Sequence, residues 1–374
     1  MLKKLSLIFI SFFLLLNVLY AQTNEDQLID EIVSQVDTEE LRLIVEQLSG
    51  AMPLDDGSLI DTRRAGTEGN KIAADYIAEQ YSNIENLDIQ IDRFNAQRIA
   101  RVEKLLFKLI AAPDLDEGIV EAQLEYFDMS MNFLRKNNIR RSENILATLR
   151  GETSQFVFTT AHYDSMVNNE DPFEIIEDAI APGADDNATG VAATIIAARI
   201  LSQYVFTNNV CFMNPDAEEL MDYGSASFVF RHVFGLNRIK SVINLDMIGY
   251  DHDSDGLMNV TYGEDSTKDI IAEEYSRLGL SIDPVFLSLD DLMQGEEMMA
   301  SDHLSFYLFG GLDRVVSFDE AFWASETEYD ISEGNTAFHT EEDTIDKINF
   351  PYMTEIVKLY VATLAREAGV IGRR

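Results

Sequence analysis

Residues 155–165 read QFVFTTAHYDS. The first seven, rich in aromatic and β-branched side chains, read as a buried strand, and a histidine and an aspartate follow at its C-terminal end. The same arrangement recurs downstream. NVCFM (209–213) runs into NPDAEE, and VINLDM (242–247) ends on a carboxylate before IGY. Further strand patterns are NILATLRG (144–151), LMNVTY (257–262) and RVVSF (314–318), with helical patterns between them, notably over 187–204 and 266–278. Strand–helix alternation of this kind predicts an α/β fold: a three-layer sandwich around a mostly parallel central sheet. In such sheets the C-terminal edge of the strands is where sites are built. The polar residues of these three stretches gather there.

Working outward, LDIQIDRF (87–94) alternates like a half-buried strand. Between it and residue 144, Ile99, Val102, Leu105, Leu106, Leu109 and Ile110 keep helical spacing. Pro113 and Gly118 interrupt it, and a second helical pattern continues through Phe127 and Leu134. This predicts a helical hairpin at about 97–140, inserted between two strands. Upstream, a helix is expected from about Lys71, and an amphipathic helical pattern over 24–49 ends at Gly50. The expected organisation is a signal segment at 1–21, a helical segment at 22–50, and one domain over 51–374 carrying the insertion.

The opening MLKKLSLIFISFFLLLNVLYAQ has Lys3 and Lys4, an apolar run and then Ala21. That is the pattern of a secretory signal cut after Ala21, the rival being a retained anchor. The expectation is a secreted or periplasmic protein without a stable membrane anchor. The single cysteine, Cys211, allows no intramolecular disulfide and provides no lipoprotein cut site. The formal net charge is −38, and loss of two lysines and no acids with the signal takes it to −40. So acidic a surface argues against nucleic acid or anionic membrane as a partner.

The chemistry-bearing residues fall at strand ends. His162 and Asp164 follow the first strand; an aspartate beside an imidazole can hold the ring in its metal-binding tautomer. GADDN (183–187) places Asp185 and Asp186 just before a helix, where capping alone would account for one of them. Glu218 and Glu219 are adjacent carboxylates after another strand. Asp246 lies in an apolar run, where an unpaired carboxylate is costly. His339, one of five histidines, sits in NTAFHTEEDTIDKIN (335–349). Oxygen and imidazole ligands without cysteine suit catalytic zinc, or manganese or cobalt. Two histidines and three carboxylates serve two metals if one carboxylate bridges, while an unligated carboxylate moves the proton. Separately, Asp251, Asp253 and Asp255 of DHDSDG (251–256) match the opening of a calcium loop. The bidentate-glutamate position falls on Tyr262, which excludes an EF-hand and leaves a simpler calcium turn or a solvated acidic turn.

Together AHYDS (161–165), PGADDNATG (182–190), DAEE (216–219), NLDMIG (244–249), SDHLSF (301–306) and FHTEEDTID (338–346) resemble the ordered motif set of the secreted di-zinc aminopeptidases. That family includes bacterial leucyl aminopeptidases, with relatives in glutamate carboxypeptidase and the glutaminyl cyclases. The resemblance covers roughly 58–95 and 143–370. It implies that His162 and Asp246 complete one zinc site, Glu219 and His339 the other, and that Asp185 bridges them. It further implies that Asp164 orients His162, that Glu218 is the general base, and that Asp302 and His303 lie near substrate, the alternative for SDH being a helix-capping Ser-Asp turn. The implied substrates are peptides with a free N-terminus. Alternatives within the fold are a one-zinc glutaminyl cyclase and a dipeptidase or carboxypeptidase; outside catalysis, a non-catalytic ectodomain. Departures from the family pattern are Leu220-Met221-Asp222 after the glutamate pair, Ala300 before SDH, and Phe338 before the last histidine. They put amine recognition and oxyanion stabilisation in question, with Tyr163 or Tyr223 as substitutes. The oligomeric state is left open.

Overall fold

A computed structural model describes residues 24–111, 117–168, 179–292, 301–320, 323–325, 328–329 and 334–374. The expected signal segment lies outside them. Among the described residues, no helix is long and apolar enough to cross a membrane.

The chain opens with α1 (24–33) and α2 (Thr38–Leu48). The sequence pattern suggested one helix here. Asp37 divides it, because its extended backbone and its carboxylate, bonded to the amides of Glu39 and Glu40, start a new helix. Next come α3 (Glu68–Ser82), β1 (Leu87–Phe94), α4 (Ala96–Leu106), α5 (Glu117–Lys136) and β2 (Ser142–Leu149). β1 and β2 pair antiparallel from Leu87–Leu149 to Phe94–Ser142, so α4 and α5 form the expected hairpin inserted between two neighbouring strands. The remaining elements are β3 (Phe156–Thr160), α6 (Gly190–Leu201), β4 (Tyr204–Phe206), β5 (Asn209–Asn214), α7 (Tyr223–His232), β6 (Ile239–Asp246), β7 (Leu257–Tyr262), α8 (Asp265–Leu278), β8 (Asp283–Ser288), β9 (Val315–Asp319) and a C-terminal helix, Phe350–Ala368.

Eight strands form one sheet in the order β1-β2-β5-β3-β6-β9-β7-β8. Its centre, β5-β3-β6-β9, is parallel throughout. β2 joins β5 and β7 joins β9 in antiparallel fashion. The α/β sandwich with a mostly parallel centre is therefore the fold, and its antiparallel flank at β1 and β2 carries the hairpin.

Period-two alternation divides the central strands between two cores. Val157, Val210, Phe212, Ile243 and Leu245 pack with α2, α6 and the C-terminal helix. Phe158, Cys211, Met213 and Val242 point the other way, onto Phe228 and Val229 of α7 and onto Phe306. Because the sheet is covered on both faces, its strands read as continuous apolar runs. α6 is apolar all round and almost wholly buried, and it is shorter than the pattern over 187–204 suggested. Before it, residues 184–189 form a separate turn.

Candidate metal centre

The parallel strands β3, β5 and β6 deliver their following residues to one edge of the sheet. β3 leads to His162 and Asp164, β5 to Glu218 and Glu219, and β6 ends on Asp246. Two loops from the α6 side close over them, one holding Asp185 and Asp186 and the other His339.

The side chains converge on Asp186. Its Oδ1 lies 3.2 Å from His162 Nε2 and its Oδ2 lies 3.2 Å from His339 Nε2. His162 Nε2 is also 3.3 Å from Asp246 Oδ1, and His339 Nε2 is 2.6 Å from Glu219 Oε2. Two triads result, His162–Asp186–Asp246 and Asp186–Glu219–His339, each with ligand-type atoms within 4.8 Å of one another. Glu218 belongs to neither; its Oε2 stands 3.7 Å from His162 Nε2.

The carboxylate shared by the two triads is Asp186, whereas the resemblance gave the bridge to Asp185. Asp185 faces away: its Oδ1 accepts from the Gly249 amide at 2.8 Å and its Oδ2 from Asn335 Nδ2 at 3.3 Å. Asp343 explains the choice. Its carboxylate accepts from the amides of both Asp185 and Asp186, at 3.0 Å each, which holds the loop so that successive side chains diverge. Gly183 makes the turn: it has a left-handed φ of 53°, and a Cβ there would stand 2.2 Å from the Asp186 carbonyl oxygen. Arg63 is fully buried beneath this loop and donates to Gly183 O at 2.8 Å and Pro182 O at 2.5 Å.

Asp164 has a wider role than orienting one imidazole. His162 Nδ1 contacts its backbone oxygen at 3.2 Å and its Oδ1 at 3.6 Å. The same carboxylate accepts from the amides of Glu218, 3.1 Å, and Glu219, 3.3 Å. It thus ties the β3 loop to the glutamate turn. On the other histidine, Nδ1 lies 2.9 Å from Asn168 Nδ2, while Asn168 Oδ1 has no hydrogen-bond partner among the described residues. Turning that amide over lets Oδ1 accept from Nδ1–H and leaves the Nε2 lone pair facing Asp186 and Glu219.

The electrostatics follow from burial and mutual repulsion. Burial lifts Glu218 well above the usual carboxylate range, with His162 pulling it back, and lifts Glu219 to about 7. For His162, burial disfavours the charged ring, but Glu218 and Asp246 outweigh it and hold the imidazole well above its usual range. His339 stands at about 10 by the same contest, with Glu219 its main partner. Burial would raise Asp186 too, yet the two imidazoles hold it below the usual range. Carboxylates crowded this closely are stable when cations share them. Glu219 Oε1 is buried without a hydrogen-bond partner among the described residues, and the donors are imidazole nitrogens and carboxylate oxygens. This set fits a pair of zinc ions.

The other expected residues fall less close. Asp302 is buried and lifted by burial, within electrostatic reach of His162, Asp222 and Asp246. His303 is fully buried at its side, pushed down to about 3 by burial, with neither ring nitrogen hydrogen-bonded among the described residues. Tyr163 and Tyr223 do not offer hydroxyls to the site. One donates to Glu143 O at 3.0 Å and the other pairs with Ser130 Oγ at 2.5 Å. Phe338 stacks on His339 with ring centroids 3.7 Å apart. Asp251, Asp253 and Asp255 do cluster, but at a partly exposed turn whose own amides bond Asp253 Oδ1 and Asp255 Oδ1. Sequence reasoning missed Asp186 as the carboxylate common to both triads, and Asp343, Asn168 and Arg63 as supports. Asp343 lay within a quoted motif, and nothing in the spacing separated it from its acidic neighbours.

The sequence profile described as Peptidase family M28 matches residues 144–364, more than half of the chain. "Leucine aminopeptidase 1" of Ajellomyces capsulatus (strain H88) is 25% identical over 262 residues, covering 68% of this chain. That match spans only 61% of the relative's own length. Among solved structures, BSAP, a zinc aminopeptidase from Bacillus subtilis, superposes with a TM-score of 0.61 at 18% identity, covering 89% of this chain and 96% of that one. A Bacteroides thetaiotaomicron glutaminyl cyclase superposes at 0.60 with 16% identity, covering 88% and 98%. At such identities the superpositions establish the shared fold.

Proposed function

We propose that this chain, which belongs to peptidase family M28, is a metal-dependent aminopeptidase that removes N-terminal residues from peptides, with Glu218 as its general base. The observation that carries the reading is the pair of complete triads sharing Asp186, with a fourth carboxylate, Glu218, beside them that neither triad uses. His162, Asp186 and Asp246 would hold one zinc; Asp186, Glu219 and His339 would hold the other. When bound, a zinc pair supplies Lewis acidity toward a peptide carbonyl and toward water.

The rest is done by the chain. Glu218 Oε2 takes a proton from the attacking water and returns it to the leaving nitrogen. Its burial favours the neutral acid, so the carboxylate can accept the proton from water and carry it to the nitrogen as the C–N bond breaks. Asp164 aims the turn by holding both glutamate amides, and Asn168 sets the ring of His339. The crowd of carboxylates favours a substrate that brings a positive charge, as a free N-terminal amine does.

A glutaminyl cyclase shares the fold but, as a one-zinc enzyme, leaves the second triad without a use. A non-catalytic ectodomain leaves both triads and Glu218 without one. The acidic turn at Asp251–Asp255 has no part in the reaction. The test is Glu218→Gln assayed on aminoacyl anilides beside glutaminyl peptides, with zinc content measured. We expect two zinc ions retained and hydrolysis down on the order of a hundredfold or more. Hydrolysis at the wild-type rate, or cyclisation by a protein holding one zinc, overturns the proposal.

A further inference from the structure

The glutamate turn is an awkward piece of backbone. Ala217, Met221 and Asp222 have left-handed φ values of 62°, 94° and 52°. Residues other than glycine take that region at a cost, so something must hold them there. Three bonds inside the turn, from Met221 N and Asp222 N to Glu218 O at 2.8 Å each and from Tyr223 N to Ala217 O at 3.0 Å, close it on itself without fixing which way Glu219 faces.

The inserted hairpin supplies the missing restraint. Ile99 of α4 and Phe127, Phe133 and Leu134 of α5 share one apolar cluster with Ala217, Leu220 and Tyr223. The turn therefore divides its side chains, its apolar residues going into the hairpin and its glutamates into the site. The polar contacts are specific as well. Tyr126 of α5 donates its hydroxyl to the backbone oxygen of Glu219 at 2.8 Å, and Ser130 Oγ meets Tyr223 OH at 2.5 Å. Since Asp164 Oδ2 accepts from the Glu219 amide, that residue is held at its N–H from the β3 side and at its C=O from the hairpin side. Its side chain is then directed so that Oε2 lies 2.6 Å from His339 Nε2.

We propose that the hairpin inserted between β1 and β2 is a positioning device for the metal centre, and that Tyr126 is the positioning residue that sets the aim of the Glu219 carboxylate. The inference rests on the reading of Glu219 as a metal ligand. It gives the hairpin a function in the site, beyond covering the sheet. Groups that orient a ligand in this way commonly contribute ten- to a hundredfold in metal affinity.

The test is Tyr126→Phe, which removes one hydroxyl and keeps the ring, compared with Ser130→Ala, which touches the same turn away from Glu219. Zinc is titrated into the metal-free proteins against a competing chelator, and kcat is followed as a function of free zinc. In Tyr126→Phe we expect one of two zinc sites to weaken about tenfold or more, with the other unchanged. Activity lost at low zinc should return at excess zinc, and Ser130→Ala should bind both ions as the wild type does. A purely structural role would not be rescued by zinc. Unchanged affinity in Tyr126→Phe, equal weakening of both sites, or the same loss in Ser130→Ala overturns the inference while wild-type binding of two ions leaves the proposed function intact. Failure of the wild type to bind two zinc ions overturns both.

Discussion

Replacing Arg63 by Met should show how much of the metal centre is held from beneath. The guanidinium is fully buried and donates to Tyr163 O at 2.8 Å, Leu48 O at 2.7 Å, Pro182 O at 2.5 Å and Gly183 O at 2.8 Å. Burial lowers it to about 10, opposed by Asp343, Asp186, Asp164 and Glu219, so it stays charged at neutral pH. Met fills similar volume without donors. Each carbonyl left dry costs about 1–3 kcal/mol. Relief from desolvating the cation offsets part of this, while the nearby carboxylates lose their buried positive partner. The net loss should be about 4 kcal/mol, in the range found when one partner of a buried charge network is removed. That is a large share of a domain's total stability. The assay is urea unfolding of metal-free protein, comparing midpoints at a common m-value. Arg63→Lys keeps the charge but cannot present the planar fork to four carbonyls, so it should recover about half the loss. A loss below about 1 kcal/mol in Arg63→Met would refute the reasoning, since the four bonds would then be contributing almost nothing.

Two further outcomes follow from the site. Asp186→Asn should cost the pair of zinc ions and on the order of a hundredfold or more in activity, whereas Asp185→Asn should keep both ions, because the Asp185 side chain bonds Gly249 and Asn335. Zinc analysis of the two variants decides it, and the reverse order would return the bridge to Asp185. Metal-free protein should lose stability as pH rises from 5 to 8. Burial lifts Glu219, Asp216 and Asp222 to about 7 and Asp319 to about 8, so the folded state holds protons there that the unfolded chain has released. His339, at about 10 against burial chiefly through Glu219, has the same sign: its contribution is full below its unfolded value and is lost as pH rises through 10. Thermal unfolding should therefore show a lower midpoint at pH 8, with zinc restoring more there than at pH 5. A midpoint that rises toward pH 8 without metal would contradict these shifts.

The sequence by itself determined the architecture and the chemical inventory. Short apolar runs rich in aromatic and β-branched residues, such as FVFTTA and NVCFM, read as strands covered on both faces, and their alternation with helices makes the sheet largely parallel. Parallel strands put all their C-terminal ends on one edge, so His162, Glu218, Glu219 and Asp246 had to be neighbours. The break at Asp37 and the late start of α6 were not legible, because local side-chain-to-amide bonds decided them, Asp37 to Glu39 and Glu40 and Asn187 to Gly190. Nor could spacing decide between Asp185 and Asp186, since both sit on the same loop and differ only in direction. That direction was set by Asp343, distant in sequence, which bonds both amides, and by Arg63, which holds the carbonyls behind them. The function of the hairpin was hidden for the same reason: the Tyr126 bond to Glu219 O joins residues 93 positions apart. Periodicity records which residues avoid water; which oxygen faces which nitrogen is decided only when distant segments pack.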